Sequence, residues 1–537
     1  MGRLTNRVIN QVKKTKSHKK KKQTMKKKLF KTRLFSFAAF CGLTFAFASC
    51  ANEDVTQNPN NTENDKNLTT FTAGDPSTRT SMESDGKFFW EAGDKIWVKD
   101  DDGTWQQSSN APTAKTANFK FKVPGKYTAH MSYKVYYPGQ SGNQDQVTIP
   151  ATQSQSEPNT TTHFGTSGDC GMADASKQSN GSFAFTLDHK AAYLLLLPRT
   201  TNTILQNCYL TKVEINSDND ITSTYTLDPV TGKLTGTGTG KQIIVSTGGS
   251  GAYANGFPLT NTATDADTNG SYVVIKPGTH TLKIRYWVKD VATNVEGTIT
   301  KILSSATYDQ NKYYNITANL NVKDYDGDHY YMWDAQEQYW KGHEWWSTNK
   351  DQPVLNGNTN SNYAQSSSDL RYASLAFTNT VDNPATHIPC KDLPNVNEMS
   401  WYAAKGDPRW DADELWTTMG HLYKGGMWFK KGAYIGGYNS NTAVDGTDWR
   451  TNGNSGGWSG SQALPSAADA SKYFYLPALG CYISGQLSNI GDQGRYWSSS
   501  ANPITSTDAY YLFFNSGSIY VSNGANRRHG LWVGGFE

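Results

Sequence analysis

From Asn67 to about residue 322 the chain alternates short runs rich in aromatic and β-branched residues with clusters of Gly, Pro, Asn and Asp. A turn signal recurs roughly every 10 residues. Almost no stretch repeats its apolar positions with a helical period, so a helical domain is excluded and short strands remain. The runs "AAYLLLLP", "GSYVVIKPGTHTLKIRYWV" and "KYYNITANLNV" belong to this series, and "KFFWEAGDKIWVKD" predicts a hairpin turning at Glu91 to Asp94. Such turn spacing is that of β-sandwiches. The stretch "FAFTLDHKAAYLLLL" joins the end of one strand set to the start of the next, near Asp188. One sandwich is therefore expected over residues 68–188 and a second over 189–322.

The ends of the chain set its compartment. The segment from Met25 to Cys50, "MKKKLFKTRLFSFAAFCGLTFAFASC", has a basic start, an apolar run of about a dozen residues and small residues before a cysteine, the pattern of a secretory signal. The run falls short of the ~20 residues that cross a bilayer. With Ala48-Ser49 before it, Cys50 reads as the lipidated first residue of a bacterial lipoprotein; an ordinary signal peptide that ends near a cysteine is the alternative. Residues 1–49 are thus leader, with the true start expected at Met25, and residues 50–67, rich in Asn, Asp and Glu, are a solvated tether. The leader holds 14 Lys or Arg and no acid, leaving 37 basic against 47 acidic residues elsewhere. The basic balance therefore belongs to the leader, and a nucleic-acid partner is not expected. Beyond the anchor four cysteines remain, Cys170, Cys208, Cys390 and Cys481. Pairing of Cys170 with Cys208 and Cys390 with Cys481 would respect the domain boundaries, and free buried thiols are the alternative.

The stretch "FTAGDPSTRTSMESDGKFFWEAGDKIWVKDDDG", with its Thr-Arg-Thr strand and Trp-Glu-x-Gly-Asp-x-Ile segment, resembles the opening of the fimbrillin-like lipoproteins of the Bacteroidales. The segments "VVIKPGTHTLKIRY" and "YYNITANLNV" are similar to the close of their second sandwich. The resemblance implies a lipidated, surface-exposed outer-membrane precursor. It further implies proteolytic removal of the first strand in some members, with Arg79 the processing candidate by position, and assembly with other fimbrial subunits by strand donation. A solvent-facing Arg79 in an unprocessed anchored protein is the other reading.

Composition shifts after Asp324: 12 of the 16 tryptophans lie from Trp333 onward. In "LPNVNEMSWYAAKG", Asn395 with Glu398 three residues on predicts a capped helix ending at Gly406. In "DADELWTTMGHLYKGG", Leu415, Met419 and Leu422 share one helical face behind acids in a first turn, predicting a second helix that stops at Gly425. Two short helices, long Gly/Asn/Ser loops and a final set of strands make residues 323–537 an α+β domain. Near the end the alternation is strict. Tyr510, Leu512 and Phe514 share one strand face, Tyr511, Phe513 and Asn515 the other, and after a turn Ile519 and Val521 alternate with Ser518, Tyr520 and Ser522.

The segments "CKDLPNVNEMSWYAAKGDPRWD", "LPSAADASKYFYLPALG" and "GRYWSSSANP…AYYLFFNSGSIYVSNGANRRHG" resemble the C-type-lectin-like domains at the C-termini of Bacteroidales surface proteins, akin to formylglycine-generating enzymes and retroelement-diversified receptors. The resemblance implies a ligand-binding face framed by the Tyr-Trp-Ser-Ser stretch and the last hairpin. Its expected contacts are Ser500, Asn502, Tyr511, Phe513, Asn515, Ser518, Tyr520, Ser522, Asn523, His529 and Trp532. Trp497, Ser498, Ser499, Ala509, Leu512, Phe514, Ile519, Val521, Arg528 and Gly530 are the expected scaffold. Tyr, Ser, Asn and Gly suit adaptable contacts, aromatic rings giving area at low entropic cost and small polar groups adjusting hydrogen bonds.

Catalytic patterns are sparse. The C-terminal domain lacks the neighbouring cysteine pair that oxidation by the formylglycine-generating relatives needs, and "HEWWS" at His343 lacks the second His of a zinc protease helix. Asp411, Asp413 and Glu414 suit helix N-terminal charges better than a glycosidase pair. Asp324, Asp326 and Asp328 alternate as in a calcium loop but lack the bidentate acid at its twelfth position, and a linker turn rich in Asp and Gly has the same spacing. The expectation is a mostly β, lipid-anchored adhesin of the cell surface or a pilus tip, binding a protein or glycan, without enzymatic activity or cofactor. The alternative is a structural fimbrial subunit without its own ligand.

Overall fold

The computed structural model describes residues 67–74, 81–82, 88–374 and 384–537, so Cys50 and Arg79 lie outside the described residues. The described chain is mostly β, in several sheets with few helical turns. In the first sandwich, strand Leu68–Ala73 is paired on both sides, one place in from the sheet edge. It runs parallel to Phe183–Phe185, with Phe71 opposite Phe183, and antiparallel to Phe119–Pro124 along its whole length. Phe71 is fully buried, stacked on Phe183 at 5.0 Å and edge-on to Tyr127 at 5.1 Å. Burying one such ring stabilises by about 1.5–3 kcal/mol. The turn at Glu91 to Asp94 is present, closed by the Glu91 amide on the Asp94 carboxylate at 2.7 Å. Its two arms nevertheless enter different sheets, Phe88–Phe89 beside Ser81–Met82 and Trp97–Lys99 between Trp105–Gln107 and Ser132–Tyr137, so the expected hairpin is not formed.

The boundary expected near Asp188 is not a clean cut. Strand Gln146–Ile149 pairs with Ser223–Leu227, and Thr152–Gln155 runs parallel to Gln242–Thr247, before the chain returns to the first sheet as Gly171–Lys177. Val147, Ile149 and Phe164 join the second core with residues from Ala191 to Leu320. A strand pairs wherever a free edge accepts its apolar face, and contiguity in sequence does not restrict that choice. Within this core Ala192–Arg199 lies between Ser271–Ile275 and Lys312–Asn319, and Leu194 to Leu197 are all buried because both faces are covered.

The helix expected over residues 411–425 is a β-hairpin. Strands Arg409–Thr418 and His421–Lys430 pair around Met419 and Gly420, both at positive φ, a two-residue turn whose twist suits the flanking strands. The strand Val295–Tyr308 of the second sandwich meets Arg409–Thr418 in parallel at Thr298 and Glu414. A nine-stranded sheet therefore runs from the second sandwich into the C-terminal domain and ends at Tyr473–Pro477. Two of the three acids of the supposed helix start are drawn into this junction, while Asp413 stays partly exposed and pairs with Lys424. Asp411, almost fully buried, pairs with the equally buried Arg285 at 2.8 Å, and Glu414 accepts from the Thr300 amide at 2.9 Å and from the Thr298 and Thr300 hydroxyls.

The other helix forms as its sequence predicts. Val396–Lys405 is capped by Asn395 and Glu398 in a reciprocal box and followed by Gly406. Cys170, Cys208, Cys390 and Cys481 are buried free thiols, the second of the two alternatives left open by the sequence, and burial pushes the Cys208 and Cys390 thiols up to about 12. His343 bonds Asp351 at 2.7 Å, a partly exposed pair.

Candidate ligand-binding face

The last strands of the chain build one sheet, Tyr330–Tyr331, Leu531–Trp532, Gly494–Ala501, Asp508–Phe514, Ser518–Asn526 and Gly456–Ser459 in that order. Its inner face is apolar: Tyr496, Tyr510, Leu512, Phe514, Ile519 and Val521 are fully buried in one core. Strict alternation then turns Arg495, Tyr511, Phe513, Tyr520 and Ser522 outward. The register lines these residues up. Gly457 stands opposite Tyr520, Tyr520 opposite Phe513, and Phe513 opposite Arg495, while Ser522 faces Tyr511 and Tyr511 faces Trp497 one row on.

With Ser455, Gly456 and Gly457 these outward residues bound a groove of about 530 Å³. The Phe513 and Tyr520 rings are 5.8 Å apart and inclined at 40°, and Tyr520, 46% exposed, is the aromatic ring most open to solvent here. Gly457 makes that placement possible. A Cβ on it would stand 2.7 Å from the Tyr520 ring, closer than packed atoms come. Beneath the groove, buried Trp497 meets the edge of Tyr511 at 6.4 Å and donates its indole N–H to the Tyr331 carbonyl. At the other side the Arg495 guanidinium lies 5.4 Å from the centre of the Phe513 ring, a cation–π contact. Its Nε and Nη2 both donate to Gln493 Oε1, at 3.3 and 3.0 Å. His529, half-buried, is held below the usual imidazole range, first by burial and then by the Arg495 charge.

Of the expected contacts, Tyr511, Phe513, Tyr520 and Ser522 come together in this groove. The others are placed otherwise. Ser500 is buried and accepts the Val396 amide at the start of the capped helix. Asn502 is buried too, folding its own turn through the Ile504 and Thr505 amides and donating to the Asn523 carbonyl. Asn523 in turn donates to the Gly453 carbonyl. Asn515 closes the hairpin turn on the Gly517 and Ser518 amides, with Ser518 beside it. Trp532 is in the core, edge-on to Tyr330 at 5.1 Å and stacked on His329 at 5.2 Å, so a contact role for it is corrected: both its faces are covered. The scaffold arginine is Arg527 rather than Arg528. Arg527 is fully buried over Trp333 at 4.5 Å and donates to the Asp508 and Ser374 carbonyls, whereas Arg528 is exposed.

Arg495 and the Gly456-Gly457 pair were not assigned from sequence. Two glycines ahead of a Trp in a strand, where nothing but close approach requires them, were the available signal. For calcium, Asp324 is engaged by the Thr417 hydroxyl and Asp328 by His329, and among the described residues no group of three or more His, Cys, Asp or Glu could hold a metal. No helix among the described residues is long and apolar enough to cross a membrane.

Fold and face together define a mostly β chain whose α+β C-terminal domain carries an open aromatic groove with a cationic edge. No protein-family model matches it, and no curated protein matches it. Among solved structures it is similar to a protein from Bacteroides ovatus assigned to cell adhesion, 16% identical with a TM-score of 0.29 over 47% of this chain and 91% of that one. It is also similar to one from Bacteroides uniformis with the same assignment, 18% identical, TM-score 0.26, over 47% and 92%. A fimbrial protein from Bacteroides ovatus is 11% identical, TM-score 0.24, over 86% of this chain and 97% of that one.

Proposed function

We propose that this chain is a cell-surface adhesin of the fimbrillin-like kind, anchored through a lipid on Cys50, whose C-type-lectin-like C-terminal domain binds a protein or glycan ligand. The observation that carries the reading is the outward row Tyr520, Phe513 and Arg495 on a sheet whose inner face is locked into a core. Aromatic anchors on a rigid support lose little freedom on binding, so more of the contact energy appears as affinity. The nine-stranded sheet adds a mechanical argument. A binding head joined to its stalk by the Thr298–Glu414 sheet contact and the buried Arg285–Asp411 pair transmits force through a packed joint as well as through the connecting chain. The test is a screen of the chain from residue 51 against glycan and protein arrays, beside a variant with Tyr511, Phe513 and Tyr520 changed to Ala. Binding that the folded variant loses supports the reading, and binding that it keeps moves the ligand off this face.

A second reading is favoured by one observation, the position of strand Leu68–Ala73 between two paired neighbours, Phe183–Phe185 and Phe119–Pro124. Cleavage after Arg79 would release it and open both neighbouring ladders, a slot of the shape a donated strand fills. On that reading the chain polymerises as a fimbrial subunit. Mass spectrometry of surface fibres decides it: N-termini after residue 79 favour polymerisation, and intact chains from Cys50 oppose it.

A further inference from the structure

Three arginines of the C-terminal domain share one arrangement. Arg371, Arg409 and Arg450 each lay their guanidinium on an aspartate two residues earlier, Asp369, Asp407 and Asp448, with N–H to carboxylate distances of 2.7–3.2 Å. Each fork is thereby both fixed and neutralised. Arg495 has the same arrangement with a different partner: at the position two residues earlier stands Gln493, whose amide oxygen takes Nε and Nη2. The fork is held, but its charge is not cancelled. Among the described residues no carboxylate lies within ion-pair distance of Arg495, and the nearby His529 is disfavoured as a second cation, first by its burial and then by that same charge.

We infer that the groove binds an acidic glycan, with a sugar ring on Tyr520 and a carboxylate or sulfate on Arg495. This rests on the C-terminal face being the binding face, as proposed above. The dimensions suit it. Adjacent strands lie about 4.8 Å apart, so the two strand steps from Tyr520 to Arg495 span roughly 10 Å, about the length of two linked sugar rings. Phe513 lies between, offering a second ring face, and Ser455 and Ser522 offer hydroxyls along the rim. A guanidinium presents a planar fork to a carboxylate, and Gln493 leaves its Nη1 edge for that purpose. The groove is open rather than enclosed, which fits an extended saccharide whose ends continue into solvent.

The test uses the chain from residue 51 on an array pairing uronic-acid, sialylated and sulfated glycans with their carboxyl-reduced, desialylated and desulfated counterparts, alongside acidic peptides. The variants are R495Q, Q493E and Y520A, with thermal melts as folding controls. Q493E is the informative one, since it supplies Arg495 with the carboxylate its three counterparts have. Expected are binding to the acidic member of a pair and a fall of about tenfold or more in R495Q and Q493E, with the three acid classes told apart by which pairs differ. Equal binding to both members, unchanged in R495Q and Q493E but lost in Y520A, overturns the acidic ligand and leaves the face standing. Binding that none of the three variants alters overturns both. Capture of acidic peptides without any glycan overturns the glycan.

Discussion

Replacing Asp411 by Ala should break the joint between the second sandwich and the C-terminal domain. Its carboxylate is 2% exposed and Arg285 is 7% exposed, and they meet at 2.8 Å. The same carboxylate accepts the Asp413 and Glu414 amides at 3.1 and 3.2 Å and the Trp428 indole at 3.1 Å. Truncation leaves a buried guanidinium with the Thr298 hydroxyl at 2.8 Å as its remaining hydrogen-bond partner and the Trp287 ring at 5.8 Å. Removing one member of a buried pair costs about 3–5 kcal/mol, while exchanging both for apolar residues of similar volume is near neutral. D411A should therefore lose about 3–5 kcal/mol, and the double variant R285M/D411L far less than the two single changes together, a coupling of about 2 kcal/mol or more. Equilibrium urea unfolding reads this through tryptophan fluorescence, because 12 of the 16 tryptophans lie in the C-terminal domain, from Trp333 onward. The wild-type second sandwich and C-terminal domain should unfold in one transition, and D411A should separate them into two. A loss under about 1 kcal/mol in D411A, or additivity in the double variant, would refute the claim that this ion pair couples the domains.

Three further outcomes follow from the geometry. Gly457→Ala sets a Cβ against the Tyr520 ring, so ligand binding should fall severalfold while the melting temperature barely moves, and unchanged binding would separate Tyr520 from the site. Trp532→Ala empties a core position and should cost about 3–5 kcal/mol, whereas Tyr520→Ala, half-exposed, should cost less than about 1 kcal/mol; calorimetry showing similar losses would misplace one of them. Burial and the Asp411 charge push the Glu414 carboxyl up to about 7, so the folded chain holds this proton more tightly than the unfolded one. Stability should then decline as pH rises from the ordinary carboxylate range to about 7 and level off above it. Glu414→Gln should flatten that decline, and an unaltered pH profile would refute the shift.

Much of the last hairpin was legible because side-chain direction in a strand has a period of two. Leu512, Phe514, Ile519 and Val521 went inward and Tyr511, Phe513 and Tyr520 outward without any tertiary information. The cap at Asn395 was legible for the same local reason, its bonds closing within four residues. The segment from Asp411 to Gly425 was not. Leu415, Met419 and Leu422 fit a helical stripe, yet the turn of positive φ at Met419-Gly420 and the open edge offered by Val295–Tyr308 select a hairpin, since pairing there satisfies a ladder that a helix would leave bare. The paired role of Asp411 depended on Arg285, 126 residues away.

Trp532, Ser500 and Asn502 show the same division within the candidate site. Their types suited contact, and only the packing of Tyr330, Val396 and Asn523 around them made them structural. What the sequence by itself determined is whatever closes over a few residues: strand period, turn chemistry, the helix cap and the two faces of the final hairpin. What the tertiary structure decided is which edges meet, that Gln146–Ile149 and Thr152–Gln155 pair with strands of the second sandwich, that one sheet continues from there into the C-terminal domain, and that Arg495 stands beside Phe513, in one row with Tyr520, with its charge uncancelled. These pairings join strands far apart in the chain, and their free energy comes from surfaces that exist only once both partners have folded.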